Sequence, residues 1–446
     1  MLALSGVLPL ALCSLAAAID LNIDSQDSIE SAAKALASNV VSFYDESVKE
    51  HLTPGLFPDP YYWWESGLAF NTLIDYYRLT NDSAYNSRIS EALQHQLGNF
   101  DAFMPPNQTI SLANDDQSSW GLASLSAHEA QLPAPASGSW LEFAKNVFDT
   151  QVMRWDTKSC NGGLKWQIFS FNDGYNYKNA ASNGRFFLLA ARLADQSGNA
   201  TYAEWADKIF NWSTEIGLVT ADHHVFDGTD DMQNCSSVNH LQWTSNHAEY
   251  TEGAALMYKV SNASQNWTNI VTGFVNASSI FQGEDEALIE VACENNGKCD
   301  IDQRAYKGIA TRSFARAARA APIVADSIHN MLDASAKGAA QNCETTGNIT
   351  ACRLSWSSSS KGTSEQKVAG DGNLGEVLNA LSAVQALLWR TVETSNATSG
   401  STTPNGTTGG SPSGTSGGVQ PTGAGSTLMV SFTFVLAVAF AAALNC

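Results

Sequence analysis

Asp115 and Asp116 stand side by side in the run Ala113-Asn114-Asp115-Asp116-Gln117-Ser118-Ser119-Trp120. Two neighbouring carboxylates can divide the work of breaking a glycosidic bond: one protonates the departing oxygen while the other attacks or supports the anomeric carbon. Groups this close resist ionising together, so their pKa values must separate and leave one charged and one protonated. A purely structural reading competes. Asn114 followed three residues later by Gln117 resembles a capping box, and acids in a first helical turn are favoured by the exposed amides and dipole there. Asp230-Asp231 is a similar pair and reads as a polar loop. A helix N-terminus also favours ionisation, which suits a nucleophile but opposes a proton donor. Asp116 would therefore need burial, or another carboxylate beside it, to keep its proton.

Other chemistries find little support. His223-His224, His240 and His247 are not at the helical i, i+4 spacing of metal ligands and read as ordinary loop histidines. No Cys-x-x-Cys pair occurs, and between Ile19 and Glu393 there is no nucleophile elbow of the Gly-x-Ser-x-Gly type and no phosphate-cradling loop. The expectation is catalysis without cofactor or metal. The chain carries 12 Trp and 12 Tyr, most of them expected in the core. Trp64, Trp120 and Trp166 are candidates for stacking on sugar faces, because they fall at helix starts or in glycine-rich loops. Gln117, Asn183 and Asp227 are candidates for hydrogen bonds to sugar hydroxyls, with turn chemistry as the alternative for the latter two. Lys178 and Lys307 could pair with phosphate on a glycan, but a solvated surface lysine is the expected reading for each.

Hydrophobic periodicity gives helix after helix and hardly any strand alternation. Helices are expected to start near Asp27, Trp64, Tyr85, Asp115, Gly138, Asn179, Tyr202, Asn246, Gln265, Gln303, Pro322 and Asn373. Twelve helices at this spacing, in an all-α domain over residues 19–394, suit an (α/α)6 barrel whose loops gather around a cleft at one mouth. No repeat of fixed period supports an open superhelical array instead.

The ends of the chain address it. Residues 1–18 are apolar or small and uncharged, as in a secretory signal peptide ending at Ala16-Ala17-Ala18. A Ser/Thr/Gly/Pro stretch over 395–427 precedes an apolar tail over 428–446, the order of a GPI-anchor signal whose tail is exchanged for lipid. A single spanning helix is the alternative, but no basic stop follows the tail. Eleven Asn-x-Ser/Thr sequons agree with secretion. Cys13 and Cys446 lie in the ends expected to be removed, which leaves six cysteines for an oxidising compartment. Cys293 with Cys299 and Cys343 with Cys352 would close short loops and leave Cys160 with Cys235, the most economical of fifteen possible pairings. The formal net charge of -20 disfavours nucleic acid and anionic lipid as partners and accommodates a neutral polysaccharide.

Several runs resemble glycoside hydrolase family 76. They are Tyr61-Tyr62-Trp63-Trp64-Glu65-Ser66-Gly67, Asp115-Asp116-Gln117 with Trp120-Gly121, and Arg154-Trp155-Asp156 followed by Cys160-Asn161-Gly162-Gly163-Leu164-Lys165-Trp166. Tyr177-Lys178-Asn179 with Ser182-Asn183-Gly184, Ala191-Arg192-Leu193, Val225-Phe226-Asp227-Gly228 and Cys299-Asp300-Ile301-Asp302-Gln303 leading to Lys307-Gly308 extend the likeness from about Asp27 to Arg390. Asn246-His247-Ala248 departs from the family pattern of Tyr-Asn, a small or polar residue and Gly. The resemblance implies an (α/α)6 barrel and an endo-acting α-1,6-mannanase that works by retaining double displacement, with Asp115 as nucleophile and Asp116 as general acid/base. It also implies, from GPI-anchored fungal members, a place in cell-wall assembly. The expected partners are α-1,6-mannan or the mannose core of a GPI glycan, a β-glucan acceptor if transfer replaces hydrolysis, and the membrane through GPI lipid. A catalytically silent mannan-binding scaffold is the alternative from another class.

Overall fold

Helical periodicity carries through into twelve α-helices among the described residues of the computed structural model, which are 17–51, 53–346, 349–358 and 373–390. They are α1 (Gln26–His51), α2 (Trp63–Thr80), α3 (Asn86–His95), α4 (Asn114–Glu129), α5 (Trp140–Met153) and α6 (Ala180–Ser197). The second half holds α7 (Ala200–Glu215), α8 (Thr244–Val260), α9 (Gln265–Ala277), α10 (Tyr306–Ala320), α11 (Ala325–Gln341) and α12 (Leu374–Ala386). Each expected start falls within a few residues of an observed one. The largest offsets, at Gln303 and Pro322, are short 3-10 turns that lead into α10 and α11.

The even-numbered helices form a closed inner ring in which α2, α4, α6, α8, α10 and α12 touch in that order and α12 returns to α2. The odd-numbered helices pack outside and run antiparallel to their neighbours, which makes an (α/α)6 barrel. Burial separates the two layers. In α12 every residue from Leu374 to Ala386 is buried, whereas α3 buries only Ile89, Ala92 and Leu93 along one stripe. Glycine allows the ring to close tightly: a Cβ at Gly184 of α6 would lie 2.7 Å from the Tyr250 ring, and one at Gly253 of α8 would lie 2.4 Å from Phe187.

This connectivity puts the N-termini of all six inner helices at one mouth and their C-termini at the opposite, closed end. The closed end is tied by a buried ionic knot. Asp75 of α2 accepts from Arg312 Nε (2.5 Å) and Arg316 Nη2 (2.6 Å) of α10, while Glu129 of α4 accepts from Arg78, Arg192 and Arg316. The mouth is built from longer loops carrying two small antiparallel sheets. One pairs β2 (Tyr177–Asn179), β3 (Gly228–Asp230) and β4 (Val238–Asn239), with Lys178 opposite Thr229. The other joins β1 (Ala17–Ala18), β5 (Cys343–Thr346) and β6 (Ile349–Cys352). Disulfides link Cys160 to Cys235, Cys293 to Cys299 and Cys343 to Cys352, the economical pairing.

Most of the expected leader, the 395–427 stretch and the apolar tail lie outside the described residues, as do Asn348, Asn396 and Asn405. Among the described residues no helix is long and apolar enough to cross a membrane.

Candidate active site

Asp115 and Asp116 occupy the first turn of α4, half-buried at the mouth. The residue before them is fixed from three directions. Asn114 donates from its amide N–H to Trp166 O (2.9 Å) and from Nδ2 to Lys165 O (2.8 Å). Its Oδ1 accepts from Arg154 Nε (2.9 Å), and its carbonyl accepts from Gln151 Nε2 (3.0 Å). With the backbone held, the two carboxylates diverge. Asp115 Oδ1 turns to α6 and accepts from Ser182 Oγ (3.0 Å), with a further hydrogen bond from the Trp166 side chain. Asp116 Oδ2 turns back to accept the Ala113 N–H (3.1 Å), capping its own helix. The structural reading of the pair is thus realised in Asp116 alone, with Ala113 at the cap position expected for Asn114.

The helix ends show why carboxylates collect here. Outer helices α5, α7 and α9 are capped by Ser139, Asn199 and Ser264. Of the inner helices, α6 is likewise capped by Asn179, but three recruit acids: Glu65 accepts from Tyr62 N–H at α2, Asp116 caps α4, and Glu290 accepts from Thr244 N–H at α8. Unpaired amides at a helix start are well satisfied by anionic oxygens.

Surroundings separate the two aspartates. Burial raises the pKa of Asp115, but the Arg185 charge and the bonds from Ser182 and Trp166 oppose the rise. Asp116 is pushed well above the carboxylate range by burial and then by the charge of Asp115, with Asp302 adding to it and the Ala113 amide and Arg185 opposing. One carboxylate keeps its charge more readily and the other keeps its proton.

Arg185, one turn beyond Ser182 on α6, anchors this arrangement. Its Nη1 donates to Asp115 O (3.1 Å) and Ser119 Oγ (2.8 Å), and its Nε donates to Glu249 Oε1 of α8 (2.9 Å). Burial lifts Glu249 to about 7 against the pull of Arg185. The guanidinium lies 5.3 Å from the centre of the Trp64 ring, whose Nε1 donates to Asp302 Oδ1 (2.8 Å). Burial raises Asp302 to about 6 although the Trp64 bond resists. Tyr306 stands beside Trp64 and Trp243, at ring separations of 6.4 and 5.7 Å.

Of the residues expected to touch sugar, Trp64 and Trp166 sit beside the carboxylates. Trp120 does not: it is fully buried between Trp63 and Phe103, with ring separations of 5.4 and 5.8 Å, because it lies below the first turn of α4 and points into the core. Gln117 is also fully buried, donating to Ala102 O and Thr150 Oγ1 behind the site. Asn183 is buried too, its amide locked to Leu164 and to Asn179 O as scaffold. Asp227 is half-buried and accepts from Tyr177 Oη (2.6 Å) and Trp243 Nε1 (2.8 Å), so it holds rings that frame the mouth.

The lysine expectation fails at both positions. Lys178 is buried against Ser159 O, Gly162 O and Asp156, and Lys307 is buried against Glu294 (2.9 Å) and the Trp356 ring (4.2 Å). Each ammonium is satisfied by two backbone carbonyls and a carboxylate, those of Ser159, Gly162 and Asp156 for Lys178 and those of Leu288, Leu354 and Glu294 for Lys307. His247 is likewise no loop residue; it is buried in α8 and bonded through Nε2 to Phe274 O (2.8 Å). Sequence reasoning missed Ser182, Arg185, Glu249, Asp302 and Tyr306 as site residues. The available signal was the i, i+3 spacing of Ser182 and Arg185 on one helix face.

Comparison with known proteins agrees with this geometry. The family model described as glycosyl hydrolase family 76 matches residues 28–399. The chain is 38% identical over 375 residues to mannan endo-1,6-alpha-mannosidase DCW1 of Eremothecium gossypii, covering 83% of this chain and 81% of that one. It superposes on the crystal structure of Dfg5 from Chaetomium thermophilum in complex with glucosamine with a TM-score of 0.76 and 36% identity, over 83% of this chain and 92% of that one. An inactive variant of an α-1,6-mannanase from a Salegentibacter species, bound to α-1,6-mannotriose, shares the fold with a TM-score of 0.63 at 19% identity, over 81% and 99% of the chains. A closed ring of six inner helices with an aspartate pair at its mouth, and a match spanning nearly the whole helical domain, place this chain in glycosyl hydrolase family 76.

Proposed function

We propose that the chain cleaves α-1,6-linked mannose within mannan or a GPI-core glycan, with retention at the anomeric carbon. The observation that carries this reading is the divergence of Asp115 and Asp116 into unlike surroundings. In the first step Asp116 gives its proton to the glycosidic oxygen as Asp115 bonds to C1 and the C1–O bond breaks. Ser182 and Trp166 hold the attacking carboxylate, while Arg185 favours its ionised form. In the second step Asp116, now a base, takes a proton from the incoming hydroxyl, which attacks C1 and releases Asp115.

The acceptor in that second step is water or a sugar hydroxyl. An expected GPI anchor would hold the enzyme beside newly delivered GPI-linked proteins, which favours transfer of their glycans to wall β-glucan. Charge supports a GPI-core substrate. Asp115, Asp116 and Asp302 are half-buried together at the mouth and each raises or is raised by another's charge, so a cation beside them is favoured, and the free amine of a core glucosamine is positively charged. The Chaetomium relative that binds glucosamine fits that view.

Mass spectrometry of products from α-1,6-mannooligosaccharides, with and without a glucan oligosaccharide, tests the proposal. Shortened mannosides alone indicate hydrolysis, and mannosyl-glucan hybrids indicate transfer. Intact substrates in both mixtures, together with retained mannan binding, would instead support a non-catalytic scaffold.

A further inference from the structure

We propose that Phe171, backed by Phe169, forms a distal stacking platform for the mannose chain, an assignment that rests on the α-1,6-mannan reading above. Phe171 is 67% exposed, and its ring stacks on Phe169 at 5.4 Å with only 13° between the planes. Phe169 packs against the core, so the exposed ring has a fixed support. A flat apolar face held in this way matches the C–H face of a sugar ring.

The location ties the platform to catalysis. Both rings belong to the loop that follows Trp166, and that loop is hydrogen-bonded to the segment leading into α4. Ile168 N–H donates to Leu112 O (3.2 Å), and Asn172 Nδ2 donates to Thr109 O (3.1 Å). The same loop closes over Trp166: a Cβ on Gly174 would lie 2.3 Å from that ring, so only glycine permits the approach. Trp166 in turn bonds to Asp115. Phe171 follows Trp166 by five residues and so lies at most about 17 Å from it. A polymeric substrate leaving the carboxylates on this side meets the ring within a few sugar units.

The test compares Phe171→Ala and Phe171→Trp with the parent on α-1,6-mannotriose and α-1,6-mannohexaose. The ratio of kcat/KM for hexaose over triose should fall roughly three- to tenfold in Phe171→Ala and recover in Phe171→Trp. An unchanged thermal midpoint excludes a folding defect. A ratio unchanged in Phe171→Ala, or rates reduced equally for both lengths, overturns the platform. Calorimetric titration of mannohexaose into Asp116→Asn, with and without Phe171→Ala, separates this inference from the activity proposal. Phe171-dependent affinity without turnover in the parent keeps the platform and removes the proposed reaction. Turnover with an unchanged ratio does the reverse.

Discussion

Replacing Arg185 with glutamine should displace the whole pH profile of the enzyme toward higher pH rather than simply lower it. Arg185 lowers the pKa of Asp115, Asp116, Glu249 and Asp302, so its loss makes each of them harder to ionise. An opposite charge at close range is typically worth about 1–3 pKa units, or roughly 1.4–4 kcal/mol. The acid limb, set by protonation of Asp115, therefore moves up by about 1–3 pH units. On that limb kcat/KM falls roughly 10- to 1,000-fold. The alkaline limb, set by deprotonation of Asp116, moves the same way, so parent and variant profiles converge or cross at high pH. Stability should suffer less than the loss of a buried cation suggests. Glu249, with a folded pKa of about 7 against an ordinary 4.5, is already stabilising when protonated, and that contribution is lost only as pH rises through about 7. Without Arg185 it holds its proton still longer, leaving about 1–3 kcal/mol for the hydrogen bonds lost at the Asp115 carbonyl and Ser119 hydroxyl, which keep only the bond between them (3.2 Å). The assay is kcat/KM on α-1,6-mannotetraose from pH 3 to 8, alongside urea unfolding at pH 5. Unmoved limbs with uniformly reduced rate, or an acid limb that moves down, would refute the reasoning.

Asp115→Asn and Asp116→Asn should each abolish turnover yet retain mannan binding by calorimetry; persistent turnover in both variants would reject the assigned roles. Asp75→Asn should cost about 3–5 kcal/mol in urea unfolding, because Arg312 and Arg316 lose the anion between them. In the parent, burial alone would raise Asp75, but the two arginines hold it at about 2 against an ordinary 3.8. That difference supplies roughly 2 kcal/mol above pH 3.8, lost as pH falls through about 2, so an acid-unfolding curve insensitive to Asp75→Asn would contradict it. Replacing Cys160 and Cys235 by serine opens a link across 75 residues and should cost about 4 kcal/mol; a thermal midpoint within a degree of the parent would exclude that contribution.

The tryptophans show which parts of this architecture are legible in a sequence. Trp64 and Trp120 lie in similar motifs, but one opens an inner helix at the rim and the other lies further down the next helix. Periodicity locates both helices, whereas the depth of a ring below the rim depends on how the barrel closes. The Arg185–Glu249 pair is further from reach, because it spans 64 residues and exists only through the packing of α6 on α8. Lys178 and Lys307 expose a different limit: lysine is seldom buried, and nothing local announces the cluster of carbonyls that draws each one inward. The aspartate pair was readable because neighbouring residues in one helical turn need no tertiary contact to be brought together.

Each inner helix supplies the mouth from its first turn, and four of them supply the closed-end knot from near their last: α2, α4, α6 and α10. Such a helix behaves like a shaft with a fitting at each end. Inserting or deleting one residue between the fittings turns one against the other by about 100° and shifts it by about 1.5 Å. For α4, whose 16 residues run from Asn114 at the rim to Glu129, that would swing Asp115 away from Ser182 or tear Glu129 from its arginines. Side chains along the shaft can therefore drift in descent while its length stays locked, and changes in chain length are left to the loops at the rim, where differences in substrate would be written.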